Sequence, residues 1–208
     1  IIISSVFFSP YLFSKDNLTN FDPSVKKWET NIKHLLYDNN TVIHDGSHLM
    51  SLDTPYRAAD ASIVPIKISF GFNQTPNQHI KSLVLVVDEN PSPIVGKFNF
   101  TSKSGSPDIA TRIRIDRYTH VRVIAEMQDG QYYMVSKFVK AAGGCSAPSL
   151  ADMDTVMARL GKMKLKQIET KGIGELNKAQ FIISHPNFSG LQFNQLARTE
   201  IPAHFVDR

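Results

Sequence analysis

The chain contains one thiol, Cys145, in the stretch "VKAAGGCSAP" at residues 139–148. Gly143 and Gly144 precede it, and Ser146, Ala147 and Pro148 follow. Two glycines free the backbone beside the sulfur, and the small neighbours offer little to pack around it. A structural cysteine sits among bulky apolar residues, so this pattern predicts a thiol displayed on a supple loop. No Asp or Glu lies between Asp129 and Asp152, while Lys137 and Lys140 stand just upstream. That local field favours the thiolate, the form that attacks and carries adducts. The two lysines would assist the approach of an anion. The plain alternative is a tight Gly-Gly turn in which the cysteine is incidental.

Other candidate chemistry is thinner. His44 and His48 have the i, i+4 spacing of a metal pair, but "HDGSH" reads as a turn, so no metal site is expected. His185 and His204 read as hydrogen-bonded turn histidines. His120 is the candidate base for a Cys-His hydrolase, which a Gly-Gly stalk argues against. No glycine-rich phosphate loop follows a strand, and no haem-attachment motif is present. No catalytic residues and no cofactor are expected.

The elements that position Cys145 are mostly strands. Asp22 as N-cap and Pro23 at the first helical position start a helix over about 23–37. Trp28, Ile32, Leu35 and Leu36 form its apolar face. From Ala61 to Val139 the apolar period drops to two, in short runs such as "IVPIKISF", "SLVLVV" and "IVGKFNF". In "TRIRIDR", Ile113 and Ile115 face one way and Arg112, Arg114 and Asp116 the other. Val121, Val123, Ala125 and Met127 share a face, and "QDGQ" supplies an Asp-Gly turn into "YYMVSKFV". Such spacing predicts a mainly β fold, a β-sandwich behind one N-terminal helix. After Cys145, Ser149 caps a short helix that Gly161 ends, and the Lys-rich run beyond it reads as an exposed linker or edge. "KAQFIISHPNFSG" and "TEIPAHFVDR" begin a second β region too short for an independent sandwich.

Totals agree with a folded domain: 208 residues, 42% hydrophobic and 20% charged, with a net charge of +4. Lys and Arg are scattered rather than clustered, which argues against nucleic acid. The opening "IIISSVFFSPYLF" carries no charge before Lys15 and is too short and too interrupted to span a bilayer. Residues 1–16 read as the remnant of a secretory signal, hence export.

The run "RIRIDRYTHVRVIAEMQDGQYYMVSKFVKAAGGC" resembles the end of the Y subunit of the Sox thiosulfate-oxidation carriers, and "RAADASIVPIKIS" and "LVVDENPSPIVGKFNF" look like the same domain. "ISHPNFSG" and "IPAHFV" resemble the start of the Z subunit. Y then Z in one chain is the order of the SoxYZ-like carriers found with quinoprotein dehydrogenases. The resemblance implies an Ig-like sandwich over 22–148, a helix and linker over 149–175, and an incomplete second Ig-like sandwich, Z-like, over 176–208. It implies a periplasmic, non-catalytic protein with a sulfur-containing group held covalently on Cys145. Its partners would be periplasmic enzymes of a sulfur-oxidation or quinoprotein dehydrogenase system. The alternative is an accessory docking module in which Cys145 is dispensable. Two departures stand out: Cys145 is followed by more chain rather than a free end, and Asn187, Phe188 and Gln192 replace residues usual in the Z pattern.

Overall fold

The computed structural model describes residues 26–147, 153–172, 175, 177–194 and 197–206. A π-helical turn, Trp28–Ile32, runs into α1 (Lys33–Leu36). Trp28 and Ile32 are buried as their spacing predicts, but Leu35 is exposed. The wider turn adds a residue to the repeat, so that Leu36 stays packed against Trp28 and Ile32 while Leu35 is turned outward. The expected caps at Asp22 and Pro23, and Ser149, lie outside the described residues.

Eight strands follow: β1 (Ile43–Asp45), β2 (Met50–Asp53), β3 (Val64–Phe70), β4 (Ile80–Val87), β5 (Ile94–Asn99), β6 (Ile109–Ile113), β7 (Thr119–Met127) and β8 (Tyr132–Val139). They form a five-stranded sheet in the order β1-β8-β7-β4-β5 and a three-stranded sheet in the order β2-β3-β6. Alternation decides the core, because successive side chains point to opposite faces. Ile66 and Ile68 from the smaller sheet meet Leu83, Leu85, Val121, Val123 and Ala125 from the larger. The fold is therefore the mainly β sandwich that the period-two runs predict.

β4 does not alternate; it is buried on both faces. The reason is the helix. Val84 and Val86, with Ile124 of β7, point away from the sandwich core and pack against Trp28 and Ile32. The same outer layer holds a buried ion pair. Arg122 donates from Nε to both oxygens of Asp88, at 3.0 and 2.9 Å, and its guanidinium lies 5.1 Å over the Trp28 ring.

Beyond the sandwich come α2 (Met153–Ala158), β9 (Met163–Glu169), β10 (Lys178–Ile183), β11 (Phe193–Asn194) and β12 (Thr199–Glu200). The Lys-rich run, expected as an exposed linker or edge, is an exposed strand, β9, paired antiparallel with β10 in a two-stranded sheet. Lys164 and Lys166 alternate with Met163, Leu165 and Gln167, a short period of two that Ile168 then breaks. Gly161 takes a left-handed φ of +73° just after α2, where glycine has no steric cost. Among the described residues, no helix is long and apolar enough to cross a membrane.

Candidate functional site around Cys145

β8 ends at Val139, and the chain then crosses the end of the sandwich. Lys140 N–H donates to the Tyr56 carbonyl at 2.7 Å, and the Lys140 carbonyl accepts from Ala58 N–H at 3.1 Å. Gly143 turns the chain with a left-handed φ of +79° and open space where a side chain would stand. Its N–H donates to the Asp116 carbonyl at 2.8 Å, and Gly144 N–H donates to the Ile115 carbonyl at 2.9 Å. Arg114 Nη1 adds a 2.8 Å bond to the Gly144 carbonyl. The loop after β6 thus receives the thiol loop through three hydrogen bonds.

Gly144 is not a hinge in this state. A methyl group placed there would lie 2.0 Å from the Ala61 carbonyl oxygen and 2.6 Å from that of Ile115. Glycine is required because two backbones pass too close for a side chain. The expected supple stalk is a docked, hydrogen-bonded loop, and Cys145 is only 6% exposed. The small neighbours do not mark an absence of packing; they are what lets the backbone pack.

The electrostatic expectation also changes. Burial pushes the Cys145 thiol above its ordinary pKa; the nearby Asp116 carboxylate pushes the same way, and Arg114 opposes both. The expected preference for the thiolate is reversed, first by burial and then by a carboxylate, distant in sequence, that folding brings near. Lys137 and Lys140, expected to guide an anion, do not line the cleft beside Cys145. Lys137 sits exposed on β8, and the Lys140 ammonium lies 4.9 Å over the Tyr56 ring. Arg112 and Arg114 take that place instead. The alternation in "TRIRIDR" put both on the face away from the core, so the signal was available. What sequence could not supply was which loop that face receives.

Cys145 opens onto a cleft of about 550 Å³. Arg112, Arg114, Asn90, Asn187, Ser189 and Phe205 are among the residues that line it. Asn90 organises the floor: its Nδ2 donates to the Arg114 carbonyl at 2.9 Å, and its Oδ1 accepts from Asp116 N–H at 2.9 Å. The cleft thus has two arginines and Cys145 in its lining, a cationic setting that suits an anion-bearing group.

The other candidates fall elsewhere. His44 and His48 both pack against the Tyr133 ring, with centroids at 5.6 and 5.5 Å. His120 packs on Phe138 at 5.2 Å and does not line the Cys145 cleft. His185 and His204 stack edge to face at 5.0 Å, and His185 Nδ1 accepts from Asn187 N–H at 3.0 Å. Among the described residues, no cluster of three or more His, Cys, Asp or Glu side chains could hold a metal.

A β-sandwich with one helix on its outer face, delivering a single thiol at the exit of its last strand, defines the class of this protein. A sequence profile described as "Sulfur oxidation protein SoxY" matches residues 33–145, more than half of the chain, and ends on the cysteine itself. The chain belongs to the SoxY family. Among solved structures, the sulfur carrier protein SoxY from Chlorobium limicola f thiosulfatophilum is similar, at 18% identity and a TM-score of 0.45, over 57% of this chain and 94% of that one. The superoxide reductase (neelaredoxin) from Ignicoccus hospitalis is similar at 15% identity and a TM-score of 0.40, over 45% and 80%. No curated protein gives a significant match.

Proposed function

We propose that the chain is a periplasmic carrier that holds a sulfur-containing group covalently on Cys145 and presents it to partner enzymes. The observation that carries this reading is the family match over 33–145, which terminates on the only thiol of the sequence. Joining that thiol to a sulfur nucleophile forms one S–S bond and releases the thiol proton and two electrons. A partner oxidoreductase must take those electrons, which suits association with a quinoprotein dehydrogenase system. The chemistry belongs to the partner, and the chain itself is not an enzyme.

Presentation requires the docked loop to leave. Gly143, with its left-handed φ and open surroundings, is the pivot, and Gly144 releases its close backbone contacts. Arg112 and Arg114 take the role of anion guidance that the sequence suggested for Lys137 and Lys140. Residues 176–208 are, in this reading, the first part of a Z-like unit, and residues 1–16 the signal that directs export.

The burial of Cys145 favours one competing reading, in which the chain is an accessory docking module and the thiol is dispensable. Cys145→Ser separates the two, since it changes one atom of the docked loop. Carriage predicts that the variant loses sulfur-dependent electron transfer by the source organism down to background. Full activity of the variant would leave docking as the function.

A further inference from the structure

The thiol loop is held from two sides. The sandwich holds it through Gly143, Gly144 and Arg114. The second hold comes from the C-terminal segment, more than forty residues away in sequence. Ser189 Oγ donates to the carbonyl of Cys145 itself at 2.5 Å, and Gln192 Nε2 donates to the carbonyl of Ala147 at 3.0 Å. The two acceptors bracket the outgoing arm of the thiol.

The donors are built into their own segment. Ser189 Oγ accepts from Leu191 N–H at 3.3 Å, and Gln192 Oε1 accepts from Ser189 N–H at 3.4 Å. The Gln192 side chain is fully buried, and its backbone carbonyl accepts from Ile201 N–H at 2.8 Å. Phe188, 3% exposed, is bridged to His204, whose N–H donates to the Phe188 carbonyl at 2.9 Å. A buried carboxamide with both ends bonded is costly to misplace, so the geometry is fixed.

We propose that Ser189 and Gln192 are positioning residues that clamp the thiol loop in its retracted state, so that Cys145 becomes reactive only when this clamp opens. With the clamp closed, the sulfur is buried between the sandwich and the segment. With it open, Cys145 and Ala147 lose both of these bonds, and the arm beyond Gly144 can swing into the cleft mouth. A partner entering the cleft must displace the segment that carries Ser189 and Phe205.

The test is the rate at which Cys145 reacts with N-ethylmaleimide, a small neutral probe that needs no cargo and no partner. On the reduced protein, with Cys145 a free thiol, it reads the clamp whatever group the thiol serves to carry, so its failure is separate from failure of the carrier reading on which this inference rests. The Ser189→Ala, Gln192→Ala double variant is expected to react about tenfold faster, the shift that two lost hydrogen bonds can produce. The midpoint of its rate–pH profile should also fall, because the thiol leaves the burial and the Asp116 carboxylate that raise it, whereas Arg114 opposes both. Ser189→Thr keeps the hydroxyl and should react at the parent rate. Emission from Trp28, the single tryptophan, reports that the sandwich is intact. If the double variant loses that signal, Ser189→Ala alone carries the comparison, with about a threefold rise expected. An unchanged rate and midpoint in the folded variant would overturn the proposal, as would a Ser189→Thr variant as fast as the alanine one.

Discussion

Gly144→Ala should expel the thiol loop, raising the maleimide reactivity of Cys145 by one to two powers of ten. The added methyl would overlap two carbonyl oxygens, at 2.0 and 2.6 Å, and neither is the yielding end of a flexible side chain. Forcing a methyl into packed space costs about 1–3 kcal/mol, and about 1.4 kcal/mol is tenfold in an equilibrium. The loop can escape this overlap only by giving up the Gly144–Ile115 and Arg114–Gly144 hydrogen bonds. Gly143→Ala is the control: open space surrounds it, so it incurs only the left-handed strain of about 1–2 kcal/mol. The alanine at Gly144 should therefore open the loop more than the one at Gly143. Equal, parent-like reactivity in both would show that the loop does not dock against Ala61 and Ile115.

The largest loss of stability is expected from Asp88→Ala. The carboxylate is fully buried, and Arg122 is 4% exposed, so deleting one charge strands the other away from water. Breaking such a pair costs about 3–5 kcal/mol, a large share of the roughly 5–15 kcal/mol that holds a domain together. The urea midpoint, followed by Trp28 emission, reads it directly. Arg122 also lies over the Trp28 ring, so the emission itself should change as the guanidinium moves. Replacing both partners by apolar residues, Asp88→Leu with Arg122→Met, should recover much of the loss, since no buried charge is left unpaired. A single-variant loss below about 1 kcal/mol would mean that water reaches the pair.

The sandwich was legible because its strands obey period two and its turns carry Gly, Pro, Asn and Asp. β4 was legible as a strand, but its double burial was not, since only the packed helix explains why Val84 and Val86 are apolar. The misplaced Leu35 comes from a π turn, which no apolar spacing announces. At the site, Cys145 itself was readable from its solitude and its glycines. Its surroundings were not. Asp116 and Arg114 come to the thiol loop from the loop after β6, and Ser189 and Gln192 from the C-terminal segment. Sequence proximity gave Lys137 and Lys140 instead, because neighbours in a chain are a poor guide to neighbours across the end of a sandwich. The two glycines carried an ambiguity that only coordinates resolve: freedom at Gly143, close approach at Gly144.

We propose above that a sulfur-containing group rides on Cys145. Protein taken from its source under sulfur-oxidising growth, digested and weighed without reductant, tests it most directly. The peptide bearing Cys145 should be heavier than its sequence mass, and the increment should disappear on treatment with a phosphine. A bare thiol at Cys145 in every such preparation would contradict the account.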